Sequence, residues 1–306
     1  MATYLVTQAT GHQSRWTIEH LLNAGATVHA VVRDPQKTYP VLQRPGVTIF
    51  KGESTDFEAI FQAAQGCKGV FLNTFPIPGV EAQQAQTIVD ACKKAGVETV
   101  VAATTLCTGN KDMWDNQETK DVGLFDYYNS KSTVEDIVRA AGFKAYTILR
   151  PAFIHIDYVL PSSIGNFPEL SKTGELIHAY NDEARMLQTD ASDIGKYAAA
   201  ALQNPAKFDK QEIELGSENL TISEARDIVA RISGRNIGLR KRTPAEIEEI
   251  KPTLFAQKFH LWSNIRDYTP VLKAAKEAEA KFGIPLGSLE KALGREKDRL
   301  LESIPA

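Results

Sequence analysis

The sequence predicts an α/β fold in which helices cover both faces of a doubly wound parallel sheet and a smaller C-terminal α+β lobe follows. Short apolar runs alternate with amphipathic stretches through the first half of the chain. The runs are almost continuously apolar, which is typical of strands buried on both faces. When right-handed crossovers join such strands, the ligand crevice lies at the carboxyl ends of the strands.

Six strands and four helices are predicted in residues 1–151. The strands are Ala2–Thr7, Thr27–Arg33, Val47–Lys51, Gly69–Asn73, Val97–Thr104 and Ala145–Leu149. The helices, which carry apolar residues at helical spacing, are Ser14–Ala24, Asp56–Gln65, Ala82–Ala95 and Val122–Ala141. Three of these helices are followed by a glycine that favours their termination: Gly25, Gly96 and Gly142.

The chain changes character after Pro151. Residues 152–186 are rich in aromatic residues and prolines, and they predict an irregular segment. The predicted elements that follow are the helix Asp193–Gln203 with Asp193 as N-cap, the strand Glu212–Leu215, the helix Thr221–Ile232 with a Thr221–Glu224 capping box, the strand Ile237–Arg240, the helix Thr243–Ile250 and a helical tail at 286–302. We therefore divide the chain into a sheet domain, 1–151, and a mainly substrate-covering lobe, 152–306, with some segments returning to the sheet domain.

The composition is that of a soluble globular protein. Of the 306 residues, 43% are hydrophobic and 24% are charged, and the net charge is −3. A protein that binds nucleic acid through its phosphates needs a basic excess, so we expect no nucleic-acid partner. We interpret the local basic cluster as a solvated surface; its members are Arg235, Arg240, Lys241 and Arg242.

The sequence also bears on location. No apolar run approaches the roughly 18 residues of a membrane helix, and the first residues lack a signal-peptide pattern. The three cysteines, Cys67, Cys92 and Cys107, are well separated and fit neither a disulfide framework nor a zinc site. We therefore expect a reduced, cytoplasmic protein without a membrane partner or a bound metal.

A turn at Gln8–Ser14 links the first predicted strand to the first helix. In dinucleotide-binding folds this turn carries three glycines, which let the backbone approach a pyrophosphate at the helix N-terminus. Only Gly11 remains of the three. Ser14 is small enough for helix and strand to pack closely, whereas Gln8 places a side chain where a tight turn and a close cofactor approach are needed.

Arg33 stands at the end of the second predicted strand. Sites that prefer NAD place an acid there to bind the ribose hydroxyls, whereas an arginine suits the 2′-phosphate of NADP. Arg15 would add a second charge, and Glu53, after the third strand, could contact an adenine amine. Surface positions explain the two arginines equally well, and a solvated loop is the simpler explanation of Glu53.

A Tyr-x-x-x-Lys pair, Tyr127 and Lys131, lies early in the fourth predicted helix. Residues four apart share a helix face, so the phenol and the ammonium can meet. A nearby lysine favours the ionised phenol, which helps a tyrosine act as a general acid or base. Thr104 and Thr105, at the end of the fifth strand, could supply a hydroxyl to a carbonyl substrate.

The histidines His155, His178 and His260 lack the spacing of metal ligands, so we interpret them as packed or surface residues. His155, Asp157 and Tyr158 follow the sixth strand and could line the crevice, but packing explains them as well. We expect the substrate pocket to lie between Phe75–Pro78, the 152–186 segment and the tail. Its aromatic and aliphatic residues favour an apolar ligand.

Several stretches resemble the NmrA-like proteins, an atypical branch of the short-chain dehydrogenase/reductase superfamily, and in particular their fungal members. The stretches span most of the chain: VTQATGHQS at 6–14, VRDP at 32–35, YYNSKSTVED at 127–136, FKAYTILRPAF at 143–153, LQTDASDIGKYAAAAL at 187–202 and IELGSENLTISEA at 213–225. The resemblance implies an NADP(H)-binding Rossmann domain with a small C-terminal lobe over its crevice. It also implies either a reductase of ketones, enones or quinones or a redox-sensing regulator that binds a dinucleotide without turnover.

The resemblance assigns roles position by position. Gly11, His12 and Gln13 would lie along the pyrophosphate, and Arg33 would meet the 2′-phosphate. Tyr127 would be the proton donor, and Lys131 would bind the nicotinamide ribose and tune Tyr127. Many relatives have lost the tyrosine, so its presence here favours an enzyme over a sensor. The replacement of two motif glycines by Gln8 and Ser14 departs from the family pattern and weakens the expectation of cofactor binding.

Three hypotheses follow for the function. The first is an NADP(H)-dependent reductase of a small apolar carbonyl or enone, of a fungal secondary metabolism, with catalytic residues Tyr127, Lys131 and Thr105. The second is a non-redox enzyme, such as an isomerase, dehydratase or cyclase, on the same scaffold; Gln8 favours it. The third is an NADP-sensing regulator without turnover. In each case we expect a monomer or a homodimer.

Overall fold

The computed structural model describes residues 1–37, 39–77 and 79–306. Its strands are β1 (Thr3–Val6), β2 (Thr27–Val32), β3 (Val47–Lys51), β4 (Gly69–Asn73), β5 (Thr99–Ala103), β6 (Ala145–Pro151), β7 (Phe153–Ile154), β8 (Glu175–His178), β9 (Arg185–Thr189), β10 (Gln211–Leu215), β11 (Glu218–Thr221) and β12 (Gly238–Lys241). Its longer helices are α1 (His12–Asn23), α2 (Phe57–Ala64), α3 (Glu81–Lys94), α6 (Phe125–Ala140), α9 (Ala191–Gln203), α11 (Ile222–Ser233) and α14 (Thr269–Phe282). The shorter ones are α4 (Lys111–Trp114), α5 (Gln117–Asp121), α7 (Ser163–Asn166), α8 (Leu170–Thr173), α10 (Pro205–Phe208), α12 (Pro244–Ile250), α13 (Gln257–Ser263), α15 (Leu289–Arg295) and α16 (Lys297–Glu302).

The main sheet has seven strands in the order β10-β6-β5-β4-β1-β2-β3. The register is parallel at every junction from β6 to β3. The chain therefore winds outward from β1 in both directions, and the order reverses beside β1 and β4. This confirms the predicted doubly wound α/β fold, whose ligand crevice belongs at the carboxyl ends of the strands near that reversal.

Alternate strand residues build the two faces of the sheet. Leu5, Val70, Leu72, Val100 and Ile148 join one apolar cluster with buried residues of α2, α3 and α6. The side chains between them in sequence point to the opposite face, because side chains alternate along a strand. On that face Tyr4, Val6, Phe71 and Val101 are also buried, so both faces are covered.

Helices α1 and α9 pack closely against each other. A methyl group added at Gly195 would lie 2.5 Å from the Trp16 carbonyl carbon, so a glycine is required for this approach. His20 and Ser192 join the two helices by a hydrogen bond of 3.1 Å. This contact anchors α1, whose N-terminus carries the motif turn.

The chain divides into two compact units. The sheet unit contains residues 1–111, 126–151 and 191–214, and the second unit contains residues 112–125, 152–190 and 215–306. Residues 112–125 thus lie in the second unit, whereas the sequence-based division placed them in the sheet domain. Within the second unit β9 pairs with β11 and β7, and β8 pairs with β12.

Three element predictions were wrong in detail. The helix predicted from Asp193 begins at Ala191, so Asp193 lies in the first turn, where a carboxylate is favourable, and is not the N-cap. The helix predicted from Val122 begins at Phe125, because Gly123 has a positive φ of 77° and ends the preceding turn. The 286–302 tail consists of two helices, α15 and α16, which meet at Glu296.

The segment 152–186 is not irregular as predicted. It contains a 3-10 turn at His155–Tyr158, the helices α7 and α8, and the strand β8, and β9 begins within it. The partner of β8 is β12, which is distant in sequence, so no local sequence pattern predicts the pairing. Among the described residues, no helix is long and apolar enough to cross a bilayer.

Candidate functional site

The turn at 8–14 has the geometry of a glycine-rich turn although two of its glycines are absent. Gly11 is the N-cap of α1 in extended conformation, and it donates its amide hydrogen to the Gln8 carbonyl at 2.8 Å. A methyl group at Gly11 would lie 3.1 Å from that same oxygen, so a larger residue would strain the turn. The first amides of a helix have no partner within it, and Gly11 has no side chain to cap them. They form an anion-binding end.

Gln8 takes the left-handed conformation that a glycine would normally supply. Its φ is 52°, and its Nε2 donates to the Ser54 hydroxyl at 3.3 Å. The tight turn therefore forms despite the side chain, at a cost of about 1 kcal/mol in backbone strain. The side chain lies toward the end of β3.

Ser14 replaces the third glycine without disturbing the packing. It is fully buried, and its hydroxyl donates to the Thr7 carbonyl at 2.8 Å. The hydroxyl also accepts from Asn73 Nδ2 at 3.3 Å. Ser14 thus ties the start of α1 to the ends of β1 and β4.

A small cleft opens beside this turn at the ends of β1, β2 and β3. It is lined by Gln8, Thr10, Val31, Val32, Arg33, Gly52 and Ser54. Arg33 is exposed, and no carboxylate among the described residues forms an ion pair with it. Glu53 is also exposed, but its neighbours Gly52 and Ser54 line the cleft in its place. The position of Gly52 and Ser54 directly after β3 is a signal that the sequence contained and the predictions missed.

Three further residues predicted to contact the dinucleotide phosphates lie on the first turns of α1: His12 and Gln13 at the pyrophosphate, and Arg15 as a second charge for the 2′-phosphate. Arg15 and His12 form a side-chain hydrogen bond of 2.7 Å, and the Arg15 guanidinium stacks 4.0 Å from the Tyr39 ring centroid. Oε1 of Gln13 is buried, and within the described part of the chain it has no hydrogen-bond partner. Buried amide oxygens ordinarily accept a hydrogen bond, and a bound ligand can supply the missing donor.

Tyr127 and Lys131 lie together on α6, as their spacing predicts. Lys131 Nζ is 5.7 Å from the Tyr127 ring centroid, and the Tyr128 ring meets the Tyr127 ring edge-on at 5.6 Å. Tyr127 is half-buried, whereas Lys131 is only 4% exposed. The ammonium is therefore buried beside a ring that is itself partly exposed.

Lys131 has a partner that the sequence did not reveal. Its Nζ donates to Oε1 of Glu81 at 2.6 Å, and Glu81 is fully buried. The same carboxylate accepts from the hydroxyls of Thr74 at 2.7 Å and Ser130 at 2.6 Å. Thr74 follows Asn73, which bonds to Ser14, so this network continues to the motif turn at the same sheet edge.

The two threonines after β5 differ in availability. The Thr104 hydroxyl donates to Oε1 of Glu135 at 2.8 Å. The Thr105 hydroxyl has no side-chain hydrogen bond in the part of the chain that the structure describes, although its carbonyl accepts from the Thr108 hydroxyl at 2.7 Å. Thr105 is therefore the better candidate to orient a substrate oxygen.

A second charged network lies behind these threonines. Arg150 on β6 binds both carboxylate oxygens of Glu135, at 2.8 and 2.7 Å, and also contacts Glu212. Glu214 lies 3.6 Å from Arg150 and accepts the Cys107 amide hydrogen at 3.2 Å. Burial raises the pKa of Glu214 to about 7 and outweighs the opposing effect of Arg150. This network fixes the loop after β5 to β6 and β10.

Two of the three predicted crevice residues of the second unit, His155 and Tyr158, lie in its interior, and Asp157 is half-buried. His155 is fully buried, with its ring nitrogens 3.6 Å from Asp190 and 3.1 Å from Glu296. Tyr158 is fully buried and stacks on Phe167 at 5.4 Å. Burial and hydrogen bonds from neighbouring groups act on Asp157, and burial dominates, raising its pKa to about 7. For His155 and Tyr158, packing is the better explanation.

The other predicted positions do not form a site within the described residues. His178 and His260 are buried, and the His260 ring stacks on Tyr180 at 4.2 Å. Phe75 and Ile77 are exposed by 59% and 44%. Pro78 lies outside the described residues. Across residues 1–37, 39–77 and 79–306, no group of three or more potential ligands could hold a metal ion.

Comparison with known proteins shows what the chain is similar to. A profile of the NmrA-like family matches residues 2–302. Dihydroflavonol 4-reductase of Zea mays is 30% identical over 251 residues, which cover 65% of this chain and 70% of that protein.

Solved structures show the same fold. The NADPH-dependent quinone oxidoreductase of Escherichia coli, in complex with NADPH, superposes with a TM-score of 0.72 at 20% identity, over 96% of this chain and 99% of that one. NmrA, a negative transcriptional regulator, in complex with NAD, gives a TM-score of 0.74 at 20% identity, over 96% and 94% of the two chains. Likeness at this identity establishes the architecture, and the site itself must decide the chemistry.

Proposed function

The chain belongs to the NmrA-like family, and we propose that it is an NADP(H)-dependent reductase of a small apolar carbonyl or enone. One observation carries the proposal: Lys131 Nζ lies 5.7 Å from the ring centroid of a half-buried Tyr127. Both residues lie early in α6, which follows β5 and so begins on the side of the sheet where the parallel strands end and ligands bind. A tyrosine held over a lysine is suited to donate a proton to a developing oxyanion. The comparison with an NADPH-dependent quinone oxidoreductase supports this choice of chemistry.

The motif turn fits a dinucleotide. The uncapped start of α1 offers amide donors to a pyrophosphate, and Gly11 permits its close approach. The buried Oε1 of Gln13 has no hydrogen-bond partner among the described residues, so a donor on the ligand would satisfy it. Gly11, His12 and Gln13 would therefore hold the pyrophosphate, with Gln8 against its adenosine side.

Arg33 supports NADP(H) over NAD(H). Arg33 lines the cleft at the ends of β1, β2 and β3, where the adenosine ribose of a dinucleotide belongs in this fold. No carboxylate among the described residues neutralises it, so its charge is available to a 2′-phosphate. Glu53, which is exposed beside the cleft, would reach the adenine from its rim.

The protein's own residues would perform the proton transfer. The bound nicotinamide would supply the hydride. The Tyr127 phenol would donate its proton to the substrate oxygen, and Lys131 would hold the phenol and the ribose in place with its ammonium donors. The Thr105 hydroxyl would donate a hydrogen bond to the same oxygen, whereas the Thr104 hydroxyl is already engaged by Glu135.

A non-redox enzyme on this scaffold is the second candidate, and the Gln8 side chain favours it. Gln8 lines the cleft beside the turn, and its side chain donates a hydrogen bond to Ser54, which lines the same cleft. Tyr127 would then act as an acid or base without a dinucleotide. A sensor that binds the cofactor without turnover is the third candidate. The structural similarity to a transcriptional regulator supports it.

Several finer predictions accompany the proposal. They are a fungal origin with a role in secondary metabolism, a cytoplasmic location, a monomeric or homodimeric state and an apolar substrate. The substrate pocket is still predicted from sequence between the segment at 75–78, the 152–186 segment and the tail.

Calorimetric titration with NADPH, NADP, NADH and NAD separates the candidates. Micromolar binding that favours the phosphorylated forms is expected, followed by NADPH oxidation with a panel of quinones, enones and ketones. Binding without turnover of any compound would leave the sensor. No binding at millimolar concentration would remove both the reductase and the sensor and leave the non-redox enzyme.

A further inference from the structure

Glu81 is a charged residue in the interior of the sheet unit. It lies at the first position of α3 and is fully buried. Its two oxygens accept hydrogen bonds from three side chains: Oε1 from Thr74 and Lys131, and Oε2 from Ser130. A carboxylate buried to this extent is tolerated only when its charge is compensated, and Lys131 provides that charge.

The network fixes the position of the Lys131 ammonium. An ammonium group has three donor hydrogens, and Glu81 accepts one of them. Within the part of the chain that the structure describes, Lys131 Nζ makes no other hydrogen bond, so the other two hydrogens remain for groups at the carboxyl ends of the strands. Because the side chain of Lys131 is only 6% exposed, water cannot solvate its ammonium well, and the Glu81 carboxylate must compensate the charge.

The charge of Lys131 also acts on Tyr127. A lone ammonium close to a phenol favours the phenolate. A proton donor, however, must hold its proton until the substrate oxygen takes it. The Glu81 carboxylate offsets the ammonium and keeps the pair neutral, so the phenol beside it feels a much smaller net charge.

We propose that Glu81 is a positioning residue of the reductase site, which holds the Lys131 ammonium beside the Tyr127 ring and offsets its charge. This inference rests on the proposed function, because it assigns Tyr127 the role of proton donor. The contacts of the pair come from α3, α6 and the end of β4. Besides the neutral hydroxyls of Thr74 and Ser130, they bring the titratable rings of Tyr127 and Tyr128 to it.

The test measures the pH at which the Tyr127 phenol ionises. The phenolate absorbance of each protein is titrated and compared with the same protein carrying Tyr127→Phe, so that the difference isolates one tyrosine among the nine. Four proteins are compared: the wild type, Glu81→Gln, Lys131→Met and the double variant Glu81→Gln/Lys131→Met. The measurement needs neither cofactor nor turnover.

A definite order is expected. Glu81→Gln leaves the ammonium unbalanced, so the phenol ionises about one pH unit lower. Lys131→Met leaves the carboxylate, so the phenol ionises at higher pH. The double variant restores neutrality and ionises close to the wild type. If Glu81→Gln fails to fold, the effect of Glu81 is still measured in the other two variants, because the Tyr127 phenol should ionise at lower pH in the double variant than in Lys131→Met.

A merely structural role predicts something else. Ionisation of Tyr127 at the same pH in all the proteins would overturn the inference, even if the variants are less stable. Glu19→Gln is the matched control, because it removes a carboxylate that pairs with Arg44 at 2.6 Å on the surface. It should not move the ionisation.

Turnover gives the second readout. In NADPH-dependent reduction, the alkaline limb of the kcat profile should move to lower pH in Glu81→Gln by the same amount as the absorbance titration. If NADPH neither binds nor reacts, the proposed function fails, while the order of the absorbance titrations still decides the charge relationship. The two failures are therefore distinguishable.

Discussion

Nζ of Lys131 lies 2.6 Å from Oε1 of Glu81, and the side chains of both residues are almost completely buried. Charged pairs in this situation are held by mutual compensation, because each charge alone would be very unfavourable in the interior. The pair joins α3 to α6, and its ammonium lies 5.7 Å from the centroid of the Tyr127 ring. The stability of the sheet unit and the proposed proton transfer from Tyr127 therefore depend on the same contact.

Breaking this pair from one side should be costly. Lys131→Met leaves the Glu81 carboxylate buried without its counter-charge, and we expect a loss of about 3–5 kcal/mol in the free energy of unfolding. The double variant Lys131→Met/Glu81→Gln removes both charges and should lose no more than about 1 kcal/mol. Urea unfolding at pH 7 measures both.

The exposed pair of Lys144 and Glu98 provides the matched control. Lys144→Met should change the free energy of unfolding by less than about 1 kcal/mol, because solvent screens a surface pair. Equal losses in Lys131→Met and in the double variant would contradict the compensated pair.

Tyr127→Phe tests the proton donor. The substitution removes only the hydroxyl of a half-buried ring, so we expect a fall in kcat of about 10²–10⁴-fold with little change in the melting temperature. Tyr146→Phe is the control, because Tyr146 is partly buried against the core cluster and takes no part in the proposed reaction. Steady-state kinetics with the best compound of the carbonyl panel give the result. Unchanged turnover would remove Tyr127 from the reaction.

Arg33→Ala tests the cofactor preference. Loss of charge-assisted hydrogen bonds to a 2′-phosphate should weaken NADPH binding roughly 10- to 100-fold and leave NADH binding unchanged. Arg44→Ala is the control, because Arg44 pairs with Glu19 on the surface. Calorimetry with both cofactors measures the change. Equal weakening for the two would show that Arg33 does not read the phosphate.

The sequence predicted the sheet well, because each central strand is an apolar run between amphipathic helices. The spacing of Tyr127 and Lys131 placed them on one helix face, and the structure agrees. Glu81 was not predicted, since its partner is fifty positions away and a glutamate at a helix start is ordinarily exposed.

The interior of the second unit was predicted less well for the same reason. The strand β8 pairs with β12 through a contact distant in sequence, so no local periodicity marks it. His155 and Tyr158 were plausible crevice residues because they follow β6. Their complete burial depends on packing partners, such as Phe167, that only the folded chain brings together.

Glu214 predicts a specific dependence of stability on pH. Burial raises its pKa from the ordinary 4.5 to about 7, and the Arg150 ion pair opposes that rise. The folded protein therefore holds this proton more tightly than the unfolded chain. The stability that Glu214 contributes is complete below pH 4.5 and is lost as the pH rises to 7.

Glu214→Gln should abolish this loss, because glutamine resembles the protonated acid. Relative to the wild type, the variant should gain roughly 1–3 kcal/mol between pH 5 and pH 8. Urea unfolding at the two pH values provides the comparison, in which other titrating groups cancel. Glu277→Gln, at an exposed position of α14, should show no such gain. A constant difference between Glu214→Gln and the wild type would contradict the raised pKa.

Gln8→Gly tests whether the departure from the glycine motif limits cofactor binding. Gln8 has a φ of 52°, and its side chain lines the cleft beside the turn. Glycine adopts this conformation without strain and leaves the approach to the pyrophosphate open. We expect about tenfold tighter NADPH binding, while stability changes by no more than about 1 kcal/mol.

Lys210→Gly separates strain from access. Lys210 has a comparable φ of 58° and lies in the sheet unit before β10, away from the motif turn. Its replacement should change stability as Gln8→Gly does but leave NADPH affinity unchanged. Weaker NADPH binding in Gln8→Gly would mean that the Gln8 side chain itself holds the cofactor. The residue that stands in place of the motif glycine would then bind the cofactor rather than hinder its approach.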